Sequence, residues 1–165
     1  CPRCSACEPL RIKASTFAPS RSQKKILRKG NDIYVEEGNL RYTHQKLQLF
    51  NQHKKERGLS KTGQNMTMNA YIGWFHQSCT ESKEFRYKIG DKLIGLSILD
   101  FGAQDISSVY FYFDTAYSHL SLGTFSILYE LAWMKKRNLR YYYLGQYVAR
   151  CKHLSYKSLF IFKSD

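Results

Sequence analysis

The sequence predicts an α+β fold, a mixed and mostly antiparallel sheet flanked by helices, and three observations carry that expectation. Short β-rich runs, some alternating strictly, recur along the 165 residues. Longer stretches with apolar residues at helical spacing separate them. No internal repeat or Pro/Gly-rich linker divides the chain, so 1–165 is expected to be a single domain, with 1–9 a cysteine-rich opening segment.

The elements follow in order. Residues 9–16, "PLRIKAST", alternate Leu10, Ile12 and Ala14 against polar partners, as a half-buried strand does. Ser20 suits an N-cap for a helix running through Lys29, with Gly30 just beyond its end. Residues 32–38 form a short strand, and 41–58 a helix that turns Leu47 and Phe50 inward. A third helix covers 66–77. Three strands come next, "EFRYKIG", "KLIGLSILDFG" and "DISSVYFYFD", the first two joined by a Gly-Asp turn at 90–91. Residues 122–138 make an amphipathic helix with Phe125, Leu128, Leu131 and Ala132 inward. The chain closes on a strand over 139–145, a helix-like "CKHLSYKS" and a last strand, "LFIFK".

Charge narrows the function. Twenty-six Lys and Arg against 13 Asp and Glu give +13 and a pI near 9.6, which points to nucleic acid, an anionic membrane surface or an acidic substrate. The excess is concentrated in residues 1–65, with 14 basic and 5 acidic side chains. Arg21, Lys24, Lys25 and Arg28 stand at i, i+3, i+4 and i+7, one face of the first helix. Like charges so spaced repel, and an anionic partner relieves that cost; a solvated basic face gives the same pattern. No run of about 18 apolar residues is present, so no membrane span is expected. Cys1, Cys4 and Cys7 form C-x2-C-x2-C, compact enough for zinc or an iron–sulfur cluster, with the fourth ligand open among Cys79, Cys151, His153 and cysteines upstream of this chain. An odd count of five cysteines is a poor disulfide framework and suits a reducing compartment.

Strands, then a helix, then strand, helix and strand match the second half of an N-acetyltransferase (GNAT) architecture, an analogy of fold that prescribes no reaction. The motifs are more specific. "CPRCSACEPLRI", "FAPSRSQKK", "VYFYFD", "SLGTFSILYEL" and "YYYLGQYVARCKHLSYKSLF" occur in the order found in the aminoacyl-tRNA–protein transferases, and the chain resembles most the bacterial aspartate/glutamate leucyltransferase branch. Members usually carry a further segment before the cysteines, and the opening Cys-Pro without methionine agrees with upstream residues being absent here. The resemblance implies transfer of an amino acid from aminoacyl-tRNA to the N-terminal amine of proteins beginning with Asp or Glu, marking them for N-degron degradation. Leu-tRNA is the donor favoured, with Arg-tRNA as the alternative. It also implies a cytoplasmic monomer that needs no cofactor for transfer.

The donor ester is already activated, so the reaction needs a neutral amine, alignment and donors for a developing oxyanion. Asp114, closing "VYFYFD", is the candidate to hold or deprotonate the amine, although a cap aspartate reads the same way. Tyr112 is expected on the same face, and Tyr143 on a neighbouring strand, where packing is the plainer role of a run such as "YYYLG". An acidic side chain asks for a fixed cation. Arg21 is the first choice, with Ser20, Ser22 and Gln23 beside it, and Lys157 the second; either cation suits a tRNA phosphate as well. Lys24, Lys25 and Arg28 are assigned to tRNA phosphates. Ser121 and Gly123, in "SLGT", open the long helix where amide groups suit an anion. The Gln/Arg-x-x-Gly-x-Gly/Ala loop of acetyltransferases is missing at "SHLSLGT", which argues against coenzyme A and leaves room for a tRNA 3′ end. A non-catalytic RNA-binding module with a cysteine-bound metal explains the charge but not the ordered motifs.

Overall fold

Alternation along the strands decides the architecture. The computed structural model describes residues 6–60, 63–148, 151 and 154–160. Six strands, β1 (Glu8–Lys13), β2 (Tyr34–Asn39), β3 (Glu81–Ile89), β4 (Lys92–Phe101), β5 (Ile106–Phe113) and β6 (Tyr141–Tyr147), form one sheet in the order β1-β6-β5-β4-β3-β2. Every neighbouring pair is antiparallel except β5–β6. The α+β expectation is borne out.

Side chains on the two faces of the sheet feed two cores. One face meets α1 (Arg21–Lys29) and α4 (Leu122–Lys136), where Tyr87, Ile94, Phe113 and Tyr142 pack against Phe125, Leu128 and Leu131. The other meets α2 (His44–Glu56) and α3 (Met68–Phe75), where Leu93, Leu96, Ile98 and Tyr112 pack against Leu47, Phe50, Tyr71 and Phe75. Ala132, expected inward, is exposed: it stands one turn beyond the buried Leu128 on the same face, where it lines an open hollow with Val35, Phe85 and Trp133.

The capping expectation for α1 holds. Ser20 Oγ accepts from Gln23 N while Gln23 Oε1 accepts from Ser20 N, a reciprocal capping box. Gly30 caps the other end and lies against α4, since a Cβ there would come within 2.4 Å of the Phe125 ring. Near the end of the chain the expectations fail in part. Residues 155–160 form a 3-10 helix, so Leu159 and Phe160 belong to it and not to a strand; the rest of "LFIFK" lies outside the described residues. Phe160 is drawn in by stacking on Phe17, with ring centroids 6.0 Å apart.

The feature that matters for function is the parting of β5 and β6. They pair only at Ile106–Tyr142 and Ser107–Tyr143 among the described residues. Each strand then carries a bulge. In β5 the register against β4 shifts between Ile98 and Leu99, which leaves Val109 unmatched. In β6 it shifts opposite Leu10 and Arg11, with Gly145 at φ 72. A bulge bends its strand and strengthens its twist, and a glycine takes the left-handed conformation at little cost. Two bulges directly beyond the last shared pair turn the strands apart, and the sheet opens in a V.

Candidate active site

The V is the mouth of a cleft of about 660 Å³. Its walls come from β5, β6, the start of α4, the end of α2 and the second 3-10 helix. Splaying two strands leaves backbone groups without ladder partners, and a buried orphan of that kind is costly. Two side chains meet this demand, one on each edge.

On β5 the partner is His53, from the last turn of α2. Asp114 N donates to Ile94 O, so the amides that face away from β4 are those of Phe113 and, two residues earlier, Phe111. His53 Nδ1 lies 3.0 Å from Phe113 O and 3.3 Å from Phe113 N. The ring is 4% exposed, and burial pulls its pKa down to about 4, so it is neutral at pH 7. With Nδ1 held on the backbone, Nε2 is left to the cleft. The next outward amide, that of Phe111, also belongs to the cleft wall.

On β6 the partner is Lys157, from the second 3-10 helix. Its Nζ donates to Leu144 O at 2.6 Å and Gln146 O at 2.9 Å, both on the edge that β5 has left. The side chain is buried, which lowers its pKa. Two of three ammonium hydrogens are used by those carbonyls. Arg57, one turn after His53, brings a second cation to the cleft and sits over the Phe113 ring.

At the start of α4, Ser121 adopts the left-handed conformation (φ 55) and no side chain caps the helix. Thr124 N and Phe125 N both donate to Ser121 O, so the amides of Leu122 and Gly123 precede the first intrahelical bond. Ser121 and Gly123 line the cleft, as an anion-accepting helix start requires. Deeper in, Glu130 reaches the wall from α4, hydrogen-bonded to Tyr87 and Tyr142.

The other residues singled out in the sequence fall elsewhere. Asp114 is not among the cleft residues: one carboxylate oxygen caps the 3-10 helix Thr115–Leu120 through Ala116 N, and the other pairs with Lys92 at 2.9 Å. Tyr112 points to the opposite face, buried under α2 and α3, with its hydroxyl 2.7 Å from that of Tyr71. It and Asp114 therefore share no site. Tyr143 is 37% exposed on the outer side of β6, beside Arg11; the cleft tyrosine of that run is Tyr142. Gln23 is buried and committed, with Nε2 donating to Leu159 O at 3.0 Å, while Ser20 and Ser22 bond each other at 3.0 Å. Arg21, Lys24, Lys25 and Arg28 are carried by α1, which contributes no residue to the cleft. Cys7 is exposed, Cys1 and Cys4 lie outside the described residues, and no metal-holding group occurs among those described.

Sequence reasoning missed His53, Arg57 and Glu130. The first two were legible as an i, i+4 pair at the end of α2, but a basic helix end reads first as solvated charge. Glu130 had the stronger signal, a lone carboxylate within the apolar run "FSILYELAWM".

Known proteins share both sequence and fold. Residues 45–163 match the family described as "Arginine-tRNA-protein transferase, C terminus". An aspartate/glutamate leucyltransferase of Methylobacillus flagellatus is 30% identical over 161 residues, covering 98% of this chain and 65% of that protein. Its counterpart from Aeromonas salmonicida is 32% identical, covering 98% and 67%. The chain thus spans about two thirds of the length of these curated relatives. Among solved structures, L-PGS from Bacillus licheniformis superposes with a TM-score of 0.65 at 11% identity, covering 87% of this chain and 46% of that one. FemX gives 0.57 at 9%, covering 83% and 52%. These likenesses speak to the fold, which is the GNAT-like one expected. The match over residues 45–163 takes in α2, the splayed strands and α4, and the chain belongs to the arginine-tRNA-protein transferase family.

Proposed function

We propose that the cleft transfers an aminoacyl group from tRNA to the N-terminal amine of a protein beginning with Asp or Glu. The observation that carries this is the pairing, on the β5 edge, of a backbone amide at Phe111 that has no partner among the described residues with a neutral imidazole at His53. An ester donor needs little more than these two groups, held in line.

In this reading the acceptor nitrogen attacks the ester carbonyl carbon. An N–C bond forms, and the oxygen gains negative charge facing Phe111 N–H. The amine proton passes to His53 Nε2, which accepts in the neutral tautomer whose Nδ1–H donates to Phe113 O. Collapse breaks the C–O bond to the tRNA 3′ oxygen, and that oxygen takes the proton from His53. Atoms and charge balance, and no covalent enzyme intermediate is required. His53 thus carries the part that the sequence assigned to Asp114, and Arg57, with Lys157, the part assigned to Arg21: reading the acidic acceptor side chain. Ser121 and Gly123 keep their assignment to the phosphate of the tRNA 3′ end, and Lys24, Lys25 and Arg28 theirs to the tRNA backbone. The relatives named leucyltransferases support Leu-tRNA as donor, while the family description supports Arg-tRNA. We place the activity in the cytoplasm as the marking step for N-degron degradation, performed by a monomer without cofactor.

The test is transfer of radiolabel by the full-length protein from Leu-tRNA or Arg-tRNA to peptides starting with Asp, Glu or Ala. Label on the acidic peptides alone supports the proposal. Tight tRNA binding without transfer overturns it in favour of an RNA-binding module.

A further inference from the structure

The buried side chains of α4 are apolar apart from the hydroxyls of Thr124 and Ser126 and one ionisable group at its centre. Glu130, 2% exposed, stands between the buried Leu128 and Leu131. One carboxyl oxygen accepts from Tyr87 Oη at 2.7 Å and the other from Tyr142 Oη. Ser97 Oγ, 3.3 Å from Tyr87 Oη, borders the same carboxyl. These hydroxyls come from β3, β6 and β4, so the carboxyl lies in the layer between helix and sheet, near Tyr142, where β6 still meets β5. Ser126, one turn earlier on α4, lines the cleft with it.

What is missing is a counter-charge. No Lys, Arg or His pairs with Glu130 among the described residues. Burial raises its pKa, outweighing the hydroxyls that pull the other way. An ionised carboxyl left alone at this depth is costly, and an apolar residue of similar volume would spare the fold that cost. Yet the residue belongs to the cleft wall, with Ser97 and Tyr142 beside it. A nitrogen cation entering the cleft would meet an opposite charge already oriented by three hydroxyls, in a low-dielectric site where the pair is strong.

We propose that Glu130 is the subsite for the positively charged nitrogen of the donor's aminoacyl group. The inference rests on the transfer reading. Two sources supply that chemistry, the α-ammonium of any aminoacyl ester and the guanidinium of an arginyl one. In either case an acyl group without such a nitrogen finds an unpaired carboxyl, so the site distinguishes aminoacyl donors from plain acyl donors.

The experiment compares full-length wild type with Glu130→Gln, which keeps the volume and one acceptor oxygen while removing the charge. Donors are Leu-tRNA, Arg-tRNA and an analogue of Leu-tRNA whose α-amine is replaced by hydroxyl. The variant should lose at least tenfold in kcat/KM with an amine-bearing donor and stay within twofold on the hydroxy analogue. Equal losses for Leu and Arg donors assign the α-ammonium; a loss confined to Arg assigns the guanidinium. The same factor on all three donors, or no change on any, overturns the proposal while leaving the transfer reading intact. Absence of transfer by wild type from either natural donor overturns the transfer reading, and the inference with it. Infrared difference spectroscopy on wild type covers a variant that fails to fold. The carboxylate bands of Glu130 should shift when 3′-leucylamido- or 3′-arginylamido-adenosine binds, and stay in place with their fully N-acylated or deaminated, charge-free forms. A band unmoved by both charged ligands refutes the subsite.

Discussion

Acidification should loosen the open sheet through one residue, His53. Its ring is buried with Nδ1 on the Phe113 backbone, and its pKa falls from 6.5 to about 4. Between those values the unfolded chain binds a proton that the folded one refuses. Stability therefore rises with pH across the window: the contribution is complete above about 6.5 and is lost progressively as pH falls toward 4. A shift of this size corresponds to about 3 kcal/mol, at about 1.36 kcal/mol per pKa unit. The control is His53→Gln, whose amide can meet both Phe113 groups and does not titrate. Urea unfolding of both proteins from pH 7.5 to 4 gives a difference in which carboxylates and other histidines cancel. Wild type should lose about 3 kcal/mol relative to the variant over that range. Parallel curves would mean that the imidazole is solvated in the native state, and would remove the basis for treating it as a neutral proton acceptor.

The remaining expectations concern binding and packing. Arg57→Met should raise KM about tenfold for a peptide beginning with Asp, leaving one beginning with Ala within twofold, since a lost charge-assisted bond costs about 1.5–3 kcal/mol. Lys24→Glu with Lys25→Glu should weaken tRNA binding and flatten its dependence on log[salt] by about 0.7–0.9 for each phosphate that is no longer neutralised, as titration at several ionic strengths would reveal. Glu84→Gln should destabilise by about 3–5 kcal/mol in denaturant unfolding, because it strands the buried Lys46, whose Nζ lies 2.5 Å from the carboxylate. Lys157→Met should cost about 1–3 kcal/mol by uncovering Leu144 O and Gln146 O, and should lower transfer in the labelling assay.

Most of the fold was legible because it rests on local rules. Ser20 and Gly30 mark the ends of α1 in the sequence as they do in the structure. Alternation placed β3 to β6 within a few residues of their positions. The site was harder to read, for a reason visible in β5. "VYFYFD" offers side chains to two faces, and period two does not say which face holds the chemistry. Tyr112 went to the α2 and α3 core, and Phe111 and Phe113 to the cleft. Asp114 lies beyond the strand end, where a turn aspartate has local backbone to cap. Arg21 and its neighbours drew attention because they are clustered in sequence, yet the cations that reach the cleft, Arg57 and Lys157, are 100 residues apart. Only the tertiary fold brings them together.

The manner in which the V stays open bears on what can enter it. A gap between strands could close by restoring the ladder, which would satisfy the same backbone groups without help. Here that route is obstructed from both sides. His53 already occupies the Phe113 edge and Lys157 the Leu144 and Gln146 edge, while the bulges at Val109 and Gly145 put the two strands out of register. A substrate therefore need not displace strand pairing to bind, and the Phe111 amide lies beside a fixed imidazole before anything arrives. The cations stand at the edges and Glu130 at the helix side, so the cleft is polarised along its depth. In the proposed transfer, an acidic acceptor side chain and a cationic donor nitrogen would be drawn to different places within it. Two amines would have to be kept apart in that reaction, one to attack and one to remain on the transferred residue. A carboxyl that holds the second also keeps it from competing for His53.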